Sequence, residues 1–151
     1  MSAKNRAATL PFRPATSRAE HFRLYFDGGS RGNPGPSYGS YRLQRIGAAL
    51  EPPIRLTFGK GTNNTAEYLA LIGGLRGLRL RVDQAGLKPS EVALQVMGDS
   101  MLVIEQMSGR WKVKDQALRV LWEEAQDLVQ EWAEVQFVRQ PRRRSVALLG
   151  H

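Results

Sequence analysis

Phe22-Arg23-Leu24-Tyr25-Phe26 has the make-up of an apolar strand, and it delivers Asp27 into Gly28 to Tyr38, a stretch dense in glycine and proline. A second alternating run, Glu91-Val92-Ala93-Leu94-Gln95-Val96-Met97, also ends in an aspartate, Asp99, before the helical pattern of Leu102, Val103 and Ile104. Between them Tyr68, Leu69, Leu71, Ile72, Leu75 and Leu78 follow the i, i+3, i+4, i+7 spacing of a helix. The polar residues before that run give the helix its start, with Asn64 or Thr65 as the N-cap. The patterning predicts strands over 21–27, 36–46 and 54–60, a helix over 65–82 and a strand over 91–97. Short helices follow over 100–107 and 116–132, then a last strand over 134–138. Gly73, Gly74 and Gly77 each weaken the long helix by up to about 1 kcal/mol relative to Ala, for which close packing on a sheet is the expected reason. Leu118, Leu121, Trp122, Ala125, Leu128 and Val129 read as the core stripe of the later helix.

A chain of 151 residues with 42% hydrophobic content can bury one substantial core, and it has no internal repeat. The absence of cysteine excludes disulfide staples and thiolate metal sites. No apolar run approaches the roughly 18 residues of a membrane span, and no secretory apolar region opens the chain. Residues 1–20 read as a basic tail and 21–151 as the domain, with a shortened C-terminal end. Lys4, Arg6, Arg13 and Arg18 have no acid among them until Glu20, which is compositionally like an organelle transit segment. Pro11 and Pro14 interrupt any amphipathic helix, so a disordered tail on a cytoplasmic protein is the expectation and organelle targeting the alternative.

The net charge of +8 and a pI near 10.4 point to a polyanionic partner. Arg139, Arg142, Arg143 and Arg144 crowd the segment after the last strand, where they fit either a nucleic-acid contact or a solvated tail. Asp27, Glu67 and Asp99 would converge if the two strands ending near the aspartates are sheet neighbours. Glycines beside such a carboxylate let a ligand backbone come close, a combination suited to a hard metal and a phosphate. Each residue also has a plainer role: Asp27 in a hairpin turn, Glu67 in a first helical turn, Asp99 as a helix cap.

The ordered set Asp27-Gly28-Gly29-Ser30, Gly32-Asn33-Pro34-Gly35, Thr62-Asn63-Asn64, Ala66-Glu67 and Gly98-Asp99-Ser100 resembles the motifs of the type-I ribonuclease H family. Gln106 to Lys114, followed by Leu118 and Leu121, resembles the branch without a long basic protrusion. The match runs from about Phe22 to Val138. It implies an α/β fold, a ribonuclease H-like mixed five-stranded sheet of three antiparallel strands then two parallel ones, with helices on both faces. It also implies hydrolysis of the RNA strand of an RNA–DNA hybrid with two Mg²⁺ or Mn²⁺ ions, Asp27 bridging them and Glu67 and Asp99 completing the second-metal side. For the hybrid it assigns the backbone of Gly28, Gly29, Ser30 and Arg31, the amides of Asn33, Asn63 and Asn64, and Thr62 at a pocket for a DNA phosphate. Trp111, Lys112 and Lys114 would flank the DNA strand, the alternative for Trp111 being a place in the core.

Two departures stand against that pattern. Met101 follows the Asp-Ser pair where the family commonly has glutamine, which removes one minor-groove hydrogen bond. The family also carries a fourth carboxylate near the C-terminus, for the first metal. Aligning Pro141-Arg142 with the family's Pro-Arg puts Ser145 at its Asn and Leu149 at its Asp, and a register two residues shorter puts Ala147 there. No Asp or Glu follows Glu134. His151 is then a candidate substitute ligand, and the first-metal site is expected to be weakened. The chain is expected to end before the family's last helix is complete.

A hybrid-specific endoribonuclease with an atypical site is the first expectation. A hybrid- or duplex-binding module that has lost cleavage is the alternative, and a DNA-directed nuclease of the same fold a third reading.

Overall fold

The structure is a computed structural model and describes residues 19–150. The expected tail therefore lies almost wholly outside the described residues, as does His151. Glu20, assigned to the tail, instead opens the first strand.

Five strands form one sheet: β1 (Glu20–Ser30), β2 (Gly35–Arg45), β3 (Ile54–Gly61), β4 (Val92–Gly98) and β5 (Glu134–Arg139). Their order is β3-β2-β1-β4-β5. β1 pairs antiparallel with β2, and β2 with β3, while β4 runs parallel to both β1 and β5. Four helices complete the domain: α1 (Asn63–Gln84), α2 (Met101–Met107), α3 (Gln116–Val129) and α4 (Arg142–Leu149). A 3-10 turn at Pro89–Glu91 leads into β4.

Side chains alternate across a strand, so β1 divides its residues between two faces. Phe22, Leu24 and Phe26 join Leu71, Leu75 and Leu78 of α1 and Leu94, Val96, Val135 and Phe137 of the neighbouring strands in the core. The helix glycines set how closely α1 approaches. A Cβ on Gly74 would lie 2.6 Å from Leu24, and one on Gly77 would lie 2.2 Å from the Tyr41 hydroxyl. The long helix thus lies almost directly on the sheet, as its glycines had indicated. The other face of β1 carries Tyr25 and Asp27, which pair across the ladder with Arg42 and Ser40. On this side the last turn of α4 is tied down by two arginines. Arg42 donates to the Leu148 carbonyl at 3.0 Å and Arg55 to the Leu149 carbonyl at 3.2 Å.

Several sequence boundaries need correction. β1 does not stop at Asp27 but continues to Ser30, because Asp27 to Ser30 stay paired with Ser37 to Ser40. The N-cap of α1 is Thr62, whose hydroxyl accepts from the Thr65 amide at 3.1 Å while the Thr65 hydroxyl accepts from the Thr62 amide at 2.9 Å. That reciprocal box moves the helix start ahead of Asn64. Ser100, not Asp99, caps α2 by accepting from Val103 at 3.2 Å. A short helix that the patterning did not predict, α4, follows β5.

Candidate active site

Strand register brings the two aspartates together. Tyr25 of β1 lies beside Met97 of β4, so Asp27 and Asp99 each stand two residues beyond the last parallel pair, at one edge of the sheet. Glu67 comes from the second turn of α1, too deep in the helix to be a capping residue. Gly28 donates its amide to Glu67 Oε1 at 3.1 Å. A Cβ on Gly28 would meet the Ala66 carbonyl oxygen at 2.4 Å. This glycine therefore lets the helix approach the strand closely.

Asp27, Glu67 and Asp99 each present an oxygen within 4.8 Å of the others. Asp27 is 1% exposed, Glu67 7% and the Asp99 side chain 6%. Burial, then the charge of Asp99, pushes the Asp27 carboxyl from 3.8 up to about 6, against the opposing pull of Arg142 and the Gly28 amide. Burial and the charges of Asp27 and Asp99 hold Glu67 well above the usual carboxylate range. Three carboxylates that offer only oxygen donors, two of them with raised pKa values, fit a hard divalent ion. The residues present fit such an ion.

The residues expected to read a hybrid form a second cluster beside this one. Asn63 Oδ1 accepts from the amide and the hydroxyl of Ser30, at 3.0 and 3.1 Å, and Asn33 Oδ1 accepts from the Asn63 amide at 3.0 Å. These bonds tie the β1–β2 hairpin to the start of α1 and direct the carbonyl oxygens of Asn33 and Asn63 inward. A cavity of about 320 Å³ opens between Asn33, Thr62, Asn63 and Asn64 on one side and Asp115, Ala117 and Leu118 on the other. Thr62 lines it, but its hydroxyl is engaged in the helix cap. Gly29 packs against the Tyr38 ring, and Arg31 is exposed at the hairpin tip.

Trp111, Lys112 and Lys114 stand apart, lining a cavity of about 560 Å³ with Gln106, Arg119 and Trp122. Trp111 is 44% exposed, which removes it from the core. Its loop is held from below. Tyr68 donates to Gln106 Oε1 at 2.6 Å, and Gln106 Nε2 reaches the Lys112 carbonyl at 3.4 Å. Met101 is exposed at the first turn of α2.

The C-terminal segment holds the contact that sequence reasoning did not assign. Arg142 Nη1 lies 3.4 Å from Asp99 Oδ2, and Arg139 Nε reaches the Asp99 carbonyl at the same distance. The crowding of arginines was the visible signal; the partner was not. Ser145 and Leu149 are buried in the fold, whereas Ala147 faces solvent. Leu149 lies seven residues from Arg142 and so shares its face of α4, whereas Ala147 does not.

Residues 55–147 match the family model described as reverse transcriptase-like. The chain is 42% identical over 120 residues to the bifunctional protein Rv2228c of Mycobacterium tuberculosis, covering 79% of this chain and 31% of that one. The match thus spans about a third of that relative's length. The crystal structure of RNase H1 from the halophilic archaeon Halobacterium salinarum superposes with a TM-score of 0.73 at 32% identity, covering 86% of this chain and 95% of that one. LC11-RNase H1 in complex with an RNA/DNA hybrid gives a TM-score of 0.75 at 30% identity, covering 84% of this chain and 90% of that one. Strand order, acidic cluster and these likenesses agree: the chain belongs to the type-I ribonuclease H family.

Proposed function

We propose that this protein hydrolyses the RNA strand of RNA–DNA hybrids with divalent ions, Mg²⁺ or Mn²⁺, held by Asp27, Glu67 and Asp99. The observation that carries this reading is the meeting of three carboxylates from β1, α1 and the β4–α2 junction within 4.8 Å. A module that only bound nucleic acid would gain nothing from acids that repel one another and face a polyanion. The complex of LC11-RNase H1 with a hybrid supports the substrate class.

Divalent ions bound there would supply an activated water and neutralise charge on the leaving oxygen. The protein's own residues do the rest. Gly28 fixes the Glu67 carboxylate through its amide, and burial raises the pKa values of Asp27 and Glu67, which makes a neutralising cation welcome there. The carbonyl oxygens of Asn33 and Asn63 hold the hairpin in place, which frees their amide nitrogens to donate to a 2′-hydroxyl or a base edge. Trp111 offers a flat apolar face to a sugar, and Lys112 and Lys114 offer charge to the DNA phosphates.

No Asp or Glu follows Glu134, so this segment adds no carboxylate to the site and the first ion should be held weakly. The same fact favours the second reading, a hybrid-binding module without cleavage. Incubating a labelled hybrid with the protein, with and without Mn²⁺ and beside duplex DNA and duplex RNA, decides between them. Cuts confined to the RNA strand of the hybrid support the hydrolase. Retention of hybrid without cuts in any metal supports the binder.

A further inference from the structure

Tyr68 of α1 and Gln106 of α2 are both buried, yet each carries a polar tip into the core between those helices. A phenylalanine would fill the place of Tyr68 with no hydroxyl to satisfy. The two side chains satisfy each other instead. Tyr68 donates to Gln106 Oε1 at 2.6 Å, and Gln106 Nε2 reaches the Lys112 carbonyl at 3.4 Å. A carbonyl can only accept, so the amide nitrogen faces Lys112 and the amide oxygen takes its hydrogen bond from the phenol. Burial pushes that phenol above its ordinary value of 10.0, so it stays a donor at any working pH.

Gln106 also stands where the chain turns out of α2. The amides of Arg110 and Trp111 bond back to the Glu105 carbonyl at 3.0 and 3.2 Å, and that of Gly109 to the Gln106 carbonyl at 3.1 Å. Trp122 of α3 donates its indole to the same Gln106 carbonyl at 3.1 Å. Those backbone ties end at Trp111. Beyond it the loop is held by the Gln106 side chain at Lys112 and by Val113, which is buried in the core. At the other end of the link Tyr68 follows Glu67, whose carboxylate the Gly28 amide fixes at 3.1 Å. One turn of α1 thus meets the acidic cluster with one residue and the anchor of the loop with the next.

We propose that Tyr68 and Gln106 are positioning residues that hold Lys112, and with it Trp111 and Lys114, in a fixed place relative to the acidic cluster, so that the hybrid is gripped in register with the point of cleavage. This rests on the hydrolase reading above, in which that loop meets the DNA strand. Neither residue touches substrate. Their effect falls on how tightly the hybrid is held and not on the chemistry once it is held. A buried polar pair with its partners in place fixes one arrangement, where an apolar pair would tolerate several.

The test measures hybrid affinity in Ca²⁺, kcat and KM for cleavage in Mn²⁺, and the denaturation midpoint. The variants are Tyr68→Phe, Tyr68→Phe combined with Gln106→Met, and Trp111→Ala as the reference for loss of the loop contact. Tyr68→Phe strands the Gln106 oxygen, so it should lower the midpoint and weaken affinity about tenfold, with KM raised in proportion and kcat within about twofold of the parent. The double variant strands neither partner and should recover the midpoint. Its affinity should stay about tenfold below the parent, because no side chain then holds the Lys112 carbonyl. Recovery of affinity together with the midpoint would reduce the pair to core packing and overturn the proposal. Parental affinity in Tyr68→Phe, or a fall in kcat with KM unchanged, would overturn it likewise. If Tyr68→Phe does not fold, the double variant decides alone. Should Trp111→Ala bind hybrid as the parent does, the loop makes no contact and the proposal falls with it. A parent that binds hybrid without cutting it in any metal overturns the hydrolase reading, while the affinities still decide the role of the pair.

Discussion

Gly28 and Ala66 touch backbone to backbone: a Cβ on Gly28 would lie 2.4 Å from the Ala66 carbonyl oxygen and 2.7 Å from the Glu67 amide. This contact, more than any side chain, sets Glu67 beside Asp27. Gly28→Ala must push α1 away from β1, since backbone cannot swing aside as a flexible side chain can. The expected cost is about 1–3 kcal/mol of stability, read as a lower denaturation midpoint. Cleavage should fall further than stability accounts for, by on the order of a hundredfold, because a shift of about 1 Å in Glu67 spoils the alignment. An Ala variant with parental rate would show that the helix–strand contact does not position the acid.

The raised carboxyls give the ion-free protein a defined pH dependence. Asp27 has a folded pKa of about 6 against 3.8 for the ordinary group, so the folded state binds more protons than the unfolded between those values. Its stabilising protonation is complete below about pH 4 and is lost as pH rises through about 6, at a cost on the order of 2–3 kcal/mol. Glu67 acts in the same direction. The melting temperature without divalent ions should therefore fall across this window. Mn²⁺ should raise it more at pH 8 than at pH 5, where protons compete with the ion. Asp27→Asn should melt higher than the parent at pH 8 without metal, lose most of the Mn²⁺ response and lose nearly all cleavage, while still binding hybrid in Ca²⁺. Equal Mn²⁺ stabilisation at both pH values would contradict the assignment.

The acidic cluster was legible because each acid sits where hydrophobic patterning changes type, and two parallel strands carry their aspartates to one edge. The reason offered for Asp27 was only half right: the strand continues to Ser30 on its antiparallel side while the parallel pairing with β4 ends at Tyr25. A single sequence shows one periodicity and cannot show that two ladders end at different residues. The same limit hid α4. Its Arg-Arg-Arg start carries no apolar period, and what holds it, the arginines at 42 and 55, lies far away in sequence. Thr62 was passed over as a cap because Asn64 and Thr65 are equally good cap residues, and only the reciprocal bonds with Thr65 decide among them.

Asn63 tests recognition separately from chemistry. Its side chain accepts from both the amide and the hydroxyl of Ser30 and so couples the hairpin to α1. Asn63→Ala should reduce the preference for hybrid over duplex DNA while leaving the acidic cluster intact, so Mn²⁺ binding should not change. Trp111→Ala, at an exposed position, should leave the melting temperature within about 0.5 kcal/mol equivalent and weaken binding to hybrid and single-stranded DNA alike. Competition binding with labelled hybrid separates the two; loss of discrimination in the Trp111 variant but not in the Asn63 variant would reverse these assignments.

The C-terminal helix permits a gain-of-function test in which burial sets the cost at each position. Leu149 is 1% exposed and packed into the fold, so Leu149→Asp would bury a charge with no partner prepared for it and should destabilise by several kcal/mol. That cost does not choose between the two registers, because Asp27 and Glu67 are buried carboxylates as well. Ala147 faces solvent on the same helix, where an aspartate costs little. If the first ion is weakly held for want of a ligand, the parent should need high metal and prefer Mn²⁺, which generally binds such sites better than Mg²⁺. Ala147→Asp should then raise Mg²⁺-dependent cleavage at least about tenfold, corresponding to roughly 1.4 kcal/mol of barrier, and lower the Mg²⁺ concentration for half-maximal rate. Combining Ala147→Asp with Arg142→Ala adds a control. A restored carboxylate that works through the ion should improve Mg²⁺ use in both backgrounds, whereas one that only pairs with Arg142 should improve nothing once that arginine is gone.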